Sequence, residues 1–91
     1  MKIVAKKIEM IASFRQDGLI APHRFKISES KSGQNDELNI IHVDKVIKTE
    51  EKRLAGIKTI IFTCESRINN IARLYEIKYR IEEHRWELYK Q

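Results

Sequence analysis

Apolar and charged residues alternate along the C-terminal stretch of the chain, from residue 71 to residue 90. Every second position over 71–81 is apolar apart from Arg73, and the positions between them are mostly charged. Successive side chains of a strand point to opposite faces, so this alternation predicts a strand with one apolar face. Residues 83–84 interrupt the pattern, and residues 85–90 resume it in phase. The stretch therefore predicts a β-hairpin.

A helix over the same stretch is the alternative interpretation. Its apolar stripe would have to contain Lys78, Glu82 and Arg85, whereas the strand face contains only Arg73 as a charged residue. The many β-branched and aromatic residues of the stretch also favour a strand. We therefore expect the hairpin rather than the helix.

Shorter alternating segments precede the hairpin and are separated by turn-forming residues. Residues 7–14 predict a first strand, and the pair Asp17-Gly18 after it supplies the positive-φ position of a tight turn. Residues 19–27 predict a second strand that Pro22 interrupts. Because proline lacks an N–H, we expect this part of the strand to lie at an edge or a bulge. Residues 28–37 are polar and without periodicity, which predicts a loop.

The middle of the chain predicts two further strands and one segment with two interpretations. Residues 38–47 predict a third strand whose phase changes near Asp44, which indicates a bulge or a bend. Residues 49–56 carry the marks of one or two helical turns, with a capping threonine, early acids, late bases and a final glycine. An irregular charged loop is the alternative for that segment. Residues 58–64 are apolar on both faces, as in a central strand, and residues 66–70 predict a turn.

Five or six strands joined by short polar turns predict an all-β fold, an antiparallel sheet curled into a small barrel. One short helical turn near residues 49–55 is the only helical element that this fold would include. A length of 91 residues provides for a single domain over residues 1–91. No apolar run approaches the ~20 residues of a membrane helix, and the first residues lack the pattern of a signal peptide. The single cysteine, Cys64, cannot form an internal disulfide, which fits a reducing cytoplasm.

The net charge of +5 comes from 18 basic and 13 acidic residues. Residues 1–45 hold eight basic and six acidic residues, and residues 46–91 hold ten and seven, so the excess is spread over both halves. A weak attraction to polyanions follows from the sign of the charge. A solvated surface of mixed charge is the alternative interpretation of these residues.

A basic outer barrel face would bind single-stranded nucleic acid through phosphate contacts and base stacking. The candidate binding residues are Arg24, Lys26, Arg73, Lys78 and Arg80, with Tyr75, Tyr79 or Tyr89 as stacking partners. The tyrosines, however, also fall on the predicted core side of their strands, where their role would be structural.

Residue types that carry metal or nucleophilic chemistry are few. The three histidines, His23, His42 and His84, lie on different segments at no spacing that marks a metal site. Cys64, a histidine and Asp44 could be imagined as nucleophile, base and orienting acid. Cys64 nevertheless ends a strongly apolar strand and lacks a glycine elbow or helix start that would activate it. The sequence therefore predicts no catalytic residue, no metal and no cofactor, and an enzyme is the function that it supports least.

Several short motifs resemble those of a group of small bacterial proteins of unassigned role. The matching positions are Phe14 and Gly18 of a Phe-x-x-x-Gly motif, Pro22 to Phe25 of a Pro-x-Arg-Phe motif, and the later pair Val43-Asp44. The resemblance covers most of the chain, up to the terminal Trp86-Glu87-Leu88. It implies a small SH3-like β-barrel, and it implies no activity, cofactor or partner.

Together these patterns predict a small non-catalytic interaction module, for protein–protein contact or self-association through an exposed strand edge or groove. The alternative is a nucleic-acid-binding module that uses the basic outer barrel face. We expect no membrane partner. Two packing expectations accompany this prediction, a core that buries Phe25, Ile61, Ile77 and Trp86 together and an ion pair between Arg24 and Asp44.

Overall fold

The computed structural model describes residues 1–27 and 40–91, and every regular element in these ranges is a β-strand. The strands are β1 (Ile3–Phe14), β2 (Ile20–Ile27), β3 (Ile40–His42), β4 (Lys45–Leu54), β5 (Ile57–Ile68), β6 (Ile71–Arg80) and β7 (Arg85–Lys90). They form one antiparallel sheet in the order β3-β2-β1-β7-β6-β5-β4, curled into a half-barrel. The all-β prediction is confirmed, with seven strands in the described ranges instead of five or six.

The terminal hairpin is present as predicted. Strand β6 pairs with β7 through a four-residue turn that contains residues 83–84. Ile77 and Leu88 are opposite one another in this ladder and are both fully buried. The alternation of the sequence was a sufficient signal here because one face of the hairpin meets the core along most of its length.

Residues 49–56 form neither helical turns nor an irregular loop, and both interpretations of this segment were wrong. The segment belongs to β4, which pairs with β5 in regular register from Lys48 to Leu54. Ala55 and Gly56 make the connecting turn with positive φ angles of 50° and 81°. The helical signals are local, whereas the neighbouring strand β5 pairs with the backbone N–H and C=O groups on one edge of this segment.

The predicted irregularity at Pro22 is a bulge between β1 and β2. Ile11 is opposite Arg24 and Ala12 is opposite Pro22, so His23 is the extra residue. The turn before this strand has Gly18 at a φ of 86°, as the Asp17-Gly18 pair predicted. The Asp17 side chain also accepts a hydrogen bond of 3.0 Å from the Leu19 N–H.

The chain passes from one side of the curled sheet to the other at Val43-Asp44. The Val43 N–H donates to the His23 carbonyl of β2 at 2.8 Å, and the Asp44 N–H donates to the Glu65 carbonyl of β5 at 3.1 Å. The bend predicted near Asp44 is therefore the point where pairing with β2 ends and pairing with β5 begins. The predicted loop over 28–37 and the first residues of the predicted third strand lie outside the described residues.

The core lies on the concave face of the sheet. Its buried members are Ile8, Phe25, Phe62, Cys64, Tyr75, Ile77, Tyr79 and Leu88. Phe25 and Ile77 are among them, as predicted, but Ile61 is buried on the opposite face, where it is paired with Lys78. Trp86 is only half-buried; its ring centroid lies 5.7 Å from that of Phe62 and 4.5 Å from that of Tyr79.

No helix within the described ranges has the length and apolar character needed to cross a membrane.

Candidate functional site

Four of the five basic candidate residues, Arg24, Lys26, Lys78 and Arg80, lie on the outer face of the sheet, and Arg73 does not. Arg24 and Lys26 lie on β2, and Lys78 and Arg80 lie on β6, with β1 and β7 between them in the sheet. Arg73 shares the side of β6 that carries the core residues. The two outer-face pairs of candidate bases are therefore separated by the width of β1 and β7.

Most of these bases are already engaged with neighbouring groups. Lys26 is paired with Glu9 at 3.2 Å, and Arg80 is paired with Glu83 at 3.4 Å and Glu87 at 3.9 Å. Lys78 is only 9% exposed, and its ammonium nitrogen lies 3.3 Å from the centroid of the Tyr89 ring. Lys78 is thus a cation–π partner within the outer face and not an available surface base.

The three predicted stacking tyrosines are buried or half-buried in contact with other residues of the chain. Tyr75 and Tyr79 are buried core residues, and Tyr89 is half-buried beneath Lys78. Base stacking needs an exposed ring face, which neither buried tyrosine offers.

The predicted ion pair between Arg24 and Asp44 is not formed, and that prediction was wrong. The Asp44 carboxylate instead accepts a hydrogen bond of 2.6 Å from the Arg67 backbone N–H. Asp44 thereby ties the bend of the chain to β5, because its own N–H also donates to that strand. Arg24 is exposed and its side chain makes no ion pair within the described ranges.

The imagined cysteine nucleophile lies in an unfavourable environment. Cys64 is fully buried, and this burial raises the pKa of its thiol from 9.0 to about 12. The reactive thiolate is therefore scarce near neutral pH. No group of three or more metal-ligating side chains occurs within residues 1–27 and 40–91.

The side chains of His23 and His84 have separate local partners. His23 shares a hydrogen bond of 2.5 Å with the Ser13 hydroxyl, and His84 lies 3.5 Å from the Tyr79 hydroxyl. The Ser13–His23 pair is exposed on the β1–β2 hairpin, and His23 has no acidic partner there to orient it as a base.

A cavity opens at one end of the half-barrel, and we call it the mouth. Its floor consists of the buried side chains of Phe25, Tyr75 and Leu88, and its volume is about 640 Å³. Its rim includes Met1, Ile68, Arg73 and Leu74. An open cavity of this size with an apolar floor is suited to bind side chains of a partner or a small ligand.

Apolar side chains are exposed at the mouth because the β5–β6 hairpin extends beyond its neighbour. Pairing of β4 with β5 stops at Lys45–Glu65, whereas β5 continues to Ile68 and turns through two positive-φ asparagines into β6. Ile68, which lines the mouth, is 37% exposed, and Ile71, which is opposite it in the ladder but outside the lining, is 54% exposed. Beyond the end of β4 this part of β5 lies beside β3, to which Ser66 is hydrogen-bonded through the His42 carbonyl.

No family model, curated protein or solved structure matches this chain. The resemblance to small bacterial proteins therefore stays a prediction.

Tyr75, at the floor of the mouth, belongs to a hydrogen-bonded network with Ser66 and the His42 carbonyl. The Ser66 hydroxyl donates to the His42 carbonyl at 2.5 Å, so the Tyr75 hydroxyl, also at 2.5 Å, must donate to Ser66. Burial raises the pKa of Tyr75 to about 12, against a lowering effect of the Ser66 hydrogen bond. Tyr75 is therefore neutral near neutral pH.

Arg73 is the only charged side chain among the described residues that line the mouth. It is exposed, and it makes no ion pair or side-chain hydrogen bond within the described ranges. The sequence held one signal for it, the single charge on the apolar face of the terminal strand. No sequence pattern indicated the mouth. It forms where β5 and β6 extend beyond the end of β4, and strand pairing of this kind cannot be read from a local pattern.

Proposed function

We propose that this chain is a small non-catalytic interaction module that holds an apolar segment of a partner protein at the mouth. The observation that carries the proposal is a cavity with a buried aromatic and aliphatic floor, bordered by exposed apolar side chains. Exposed apolar side chains gathered around one cavity are typical of an interaction surface, whereas single ones are ordinary. Met1, at 62% exposure, and Leu74, at 50%, are the most exposed of the large apolar ones.

The mouth is a better candidate than an exposed strand edge. The longest free edge among the described strands is that of β4, whose side chains include Lys48, Glu50, Glu51, Lys52 and Arg53. Natural sheets use charged residues, lysine above all, to prevent edge-to-edge pairing. The composition of β4 therefore opposes strand addition, while the composition of the mouth favours apolar contact.

The alternative, a nucleic-acid-binding module, has less support. Its bases lie on separate strands, several of them are paired with carboxylates, and two of its three tyrosines are buried. An enzyme has less support still, because the thiol of Cys64 is buried and its pKa is raised to about 12.

The proposal includes two finer points. We assign the half-barrel to the SH3-like type. The bend at Val43-Asp44 supports this assignment, because consecutive residues there are hydrogen-bonded to β2 and to β5. We place the protein in the cytoplasm, for which the single unpaired cysteine is the support.

Selection of peptides from a displayed random library against the folded protein tests the proposal. We expect the enriched peptides to share an apolar anchor and to lose binding to the variants Ile68→Ser and Leu74→Ser. Ile11→Ser is the matched control, because Ile11 at 54% is about as exposed as Leu74 at 50% but lies on β1 outside the mouth lining. Equal binding to all three variants would overturn the proposal. Failure of selection together with salt-sensitive binding of short single-stranded RNA would favour the nucleic-acid alternative.

A further inference from the structure

We infer that the partner segment at the mouth binds in an extended conformation and adds to the sheet as a strand beside residues 71–75 of β6. The inference rests on the proposed function, since it names the conformation of the partner at the same site. The occupant is a segment of a partner protein that has apolar side chains at alternate positions. It pairs its main-chain N–H and C=O groups with those of β6 and directs the apolar side chains into the mouth.

The first support is an open edge of β6 at the mouth. Strand β6 is paired with β5 along its whole length, from Ile71 to Arg80. Its ladder with β7 on the other side extends only from Arg80 to Glu76. Residues 71–75 therefore have no strand beside them on the β7 side within the described ranges.

The main-chain groups of Ala72 and Leu74 point toward this open edge. The two asparagines of the β5–β6 turn have φ angles of 51° and 64°, as in a type I′ turn. Such a turn is closed by a hydrogen-bonded pair, here Ile68 and Ile71, and hydrogen-bonded pairs then alternate along the ladder. The N–H and C=O groups of Ala72 and Leu74 therefore point away from β5, and no described backbone group is hydrogen-bonded to them.

The second support is the way in which β6 lines the mouth. Four consecutive residues of the strand, 72–75, line the cavity. Successive side chains of a strand point to opposite faces, so a cavity on one face would be lined by every second residue. A cavity lined by consecutive residues instead lies along the edge of the strand. The unpaired main-chain groups and the apolar floor therefore border the same cavity.

The side chains of this edge offer little protection against strand addition. Natural sheets protect open edges with proline and with charged side chains, lysine above all. Residues 71–75 contain neither proline nor lysine and only one charge, Arg73, whereas β4 carries five charges between Lys48 and Arg53. Addition of a partner strand is therefore favoured at β6 and opposed at β4.

The same edge argues against a second copy of this chain as the occupant. A symmetric antiparallel pair that uses the main-chain groups of both Ala72 and Leu74 must place Ala72 opposite Leu74 of the other copy. Arg73 then lies directly opposite Arg73 of the other copy, and like charges at such positions are destabilising. We therefore assign the occupant to a different protein.

Hydrogen exchange of individual amide protons, followed by NMR, tests the inference. The probe is the tightest peptide from the library selection. In the free protein we expect the amide protons of Ala72 and Leu74 to exchange rapidly and those of Arg73 and Tyr75, which point to β5, to exchange slowly. On saturation with the peptide, exchange at Ala72 and Leu74 should slow by about tenfold.

Glu51 and Arg53 provide the matched control. The turn at Ala55-Gly56 also has two positive φ angles, so by the same alternation their main-chain groups point to the open edge of β4. Exchange at these two residues should be rapid with and without the peptide.

Three results of the exchange experiment would overturn the inference. Slow exchange at Ala72 and Leu74 in the free protein would show that the edge is already paired within the chain. Slower exchange at higher protein concentration without peptide would show a second copy at this edge. Unchanged exchange on saturation with the peptide would show that no strand is added.

Methylation of the peptide's own amide nitrogens, one residue at a time, provides a second test by calorimetry. Each methyl group removes a donor, so affinity should fall about tenfold at every second position and stay unchanged between them. An affinity profile without this two-residue period would overturn the inference. The proposed function would survive that result if the unmodified peptide still lost binding to Ile68→Ser and Leu74→Ser, and it would fall if the peptide did not.

Discussion

Strands β5 and β6 carry an apolar cross-strand pair at their middle and another beside their shared turn. The two pairs differ in burial. In the middle, Phe62 and Ile77 are opposite one another and fully buried. At the turn, Ile68 and Ile71 are also opposite one another, but both are exposed. The residues are equally apolar, so the difference arises from their neighbours. The middle is flanked by β4 and β7 and covered by the curl of the sheet, whereas the turn extends past the end of β4.

The comparison teaches that apolar character alone does not decide where a strand residue packs. An exposed apolar pair at the end of a hairpin contributes little to folding, because its surface stays in water in the folded state. Such a pair remains free to bury surface against a partner instead. We therefore expect substitutions in the middle to change stability and substitutions at the turn to change binding.

The largest expected effect is that of Phe62→Ala. Phe62 is buried and stacks on Trp86, so truncation should lower the free energy of unfolding by about 3–5 kcal/mol. Denaturant unfolding monitored by circular dichroism measures the loss. A change below about 1 kcal/mol would mean that the middle of the sheet is not the stabilising region.

Alkaline pH should produce the next largest loss of stability, through the buried residues Cys64 and Tyr75 in the middle of β5 and β6. Burial raises the pKa of Cys64 from 9.0 and that of Tyr75 from 10.0, in each case to about 12. The unfolded chain therefore loses these protons at lower pH than the folded chain. Stability should be full below about pH 9 and should fall as the pH rises through about 12. Urea unfolding at a series of pH values measures this decline, and Cys64→Ala should make it shallower; a decline that is unchanged in Cys64→Ala would contradict the assignment.

Trp86→Ala should cost less than truncation of a fully buried aromatic residue. Trp86 is half-buried, but it contacts the rings of Phe62 and Tyr79, so we expect a loss of roughly 2–3 kcal/mol. Trp86→Phe is the matched control, because it retains a ring at this position and should lose less. Unchanged unfolding of Trp86→Ala would make Trp86 a surface residue and a second candidate for binding.

The outer face should show a smaller coupling between Lys78 and Tyr89. Their cation–π contact at 3.3 Å, with Lys78 nearly buried, should contribute about 1 kcal/mol. A double-mutant cycle with Lys78→Met and Tyr89→Leu isolates this contribution, since methionine retains the apolar stem of lysine. Additive effects of the two substitutions would show that the contact adds nothing to stability.

The smallest expected effect is that of Ile71→Ser at the turn. Because Ile71 is 54% exposed, its substitution should change the free energy of unfolding by no more than about 0.5 kcal/mol. Thermal unfolding checks this, and the selected peptides should bind more weakly to Ile68→Ser, the variant of the lining residue opposite Ile71. A loss of stability comparable to that of Phe62→Ala would erase the distinction between the two regions.

Much of the local structure could be predicted from the sequence because its signals are short-range. Alternation over residues 71–90 predicted the terminal hairpin, and the pair Asp17-Gly18 predicted a turn that the structure contains. Pro22, which has no N–H, predicted an edge or a bulge, and the ladder between β1 and β2 has a bulge there. The candidate site was harder to predict, since Arg73 stood out only as the single charge on the apolar face of its strand and nothing placed that charge beside a cavity.

The sequence by itself determined which segments are extended and where most of them turn, because a strand's two faces and a turn's φ angles depend on adjacent residues. Only the tertiary structure decided that residues 49–54 are a strand, because the ladder that holds them is supplied by β5. It also decided that Ile61 and Lys78 are buried on the outer face while Ile68 and Ile71 stay exposed. Burial depends on which strands arrive beside a residue and how far they extend, and this information is distributed over the whole chain.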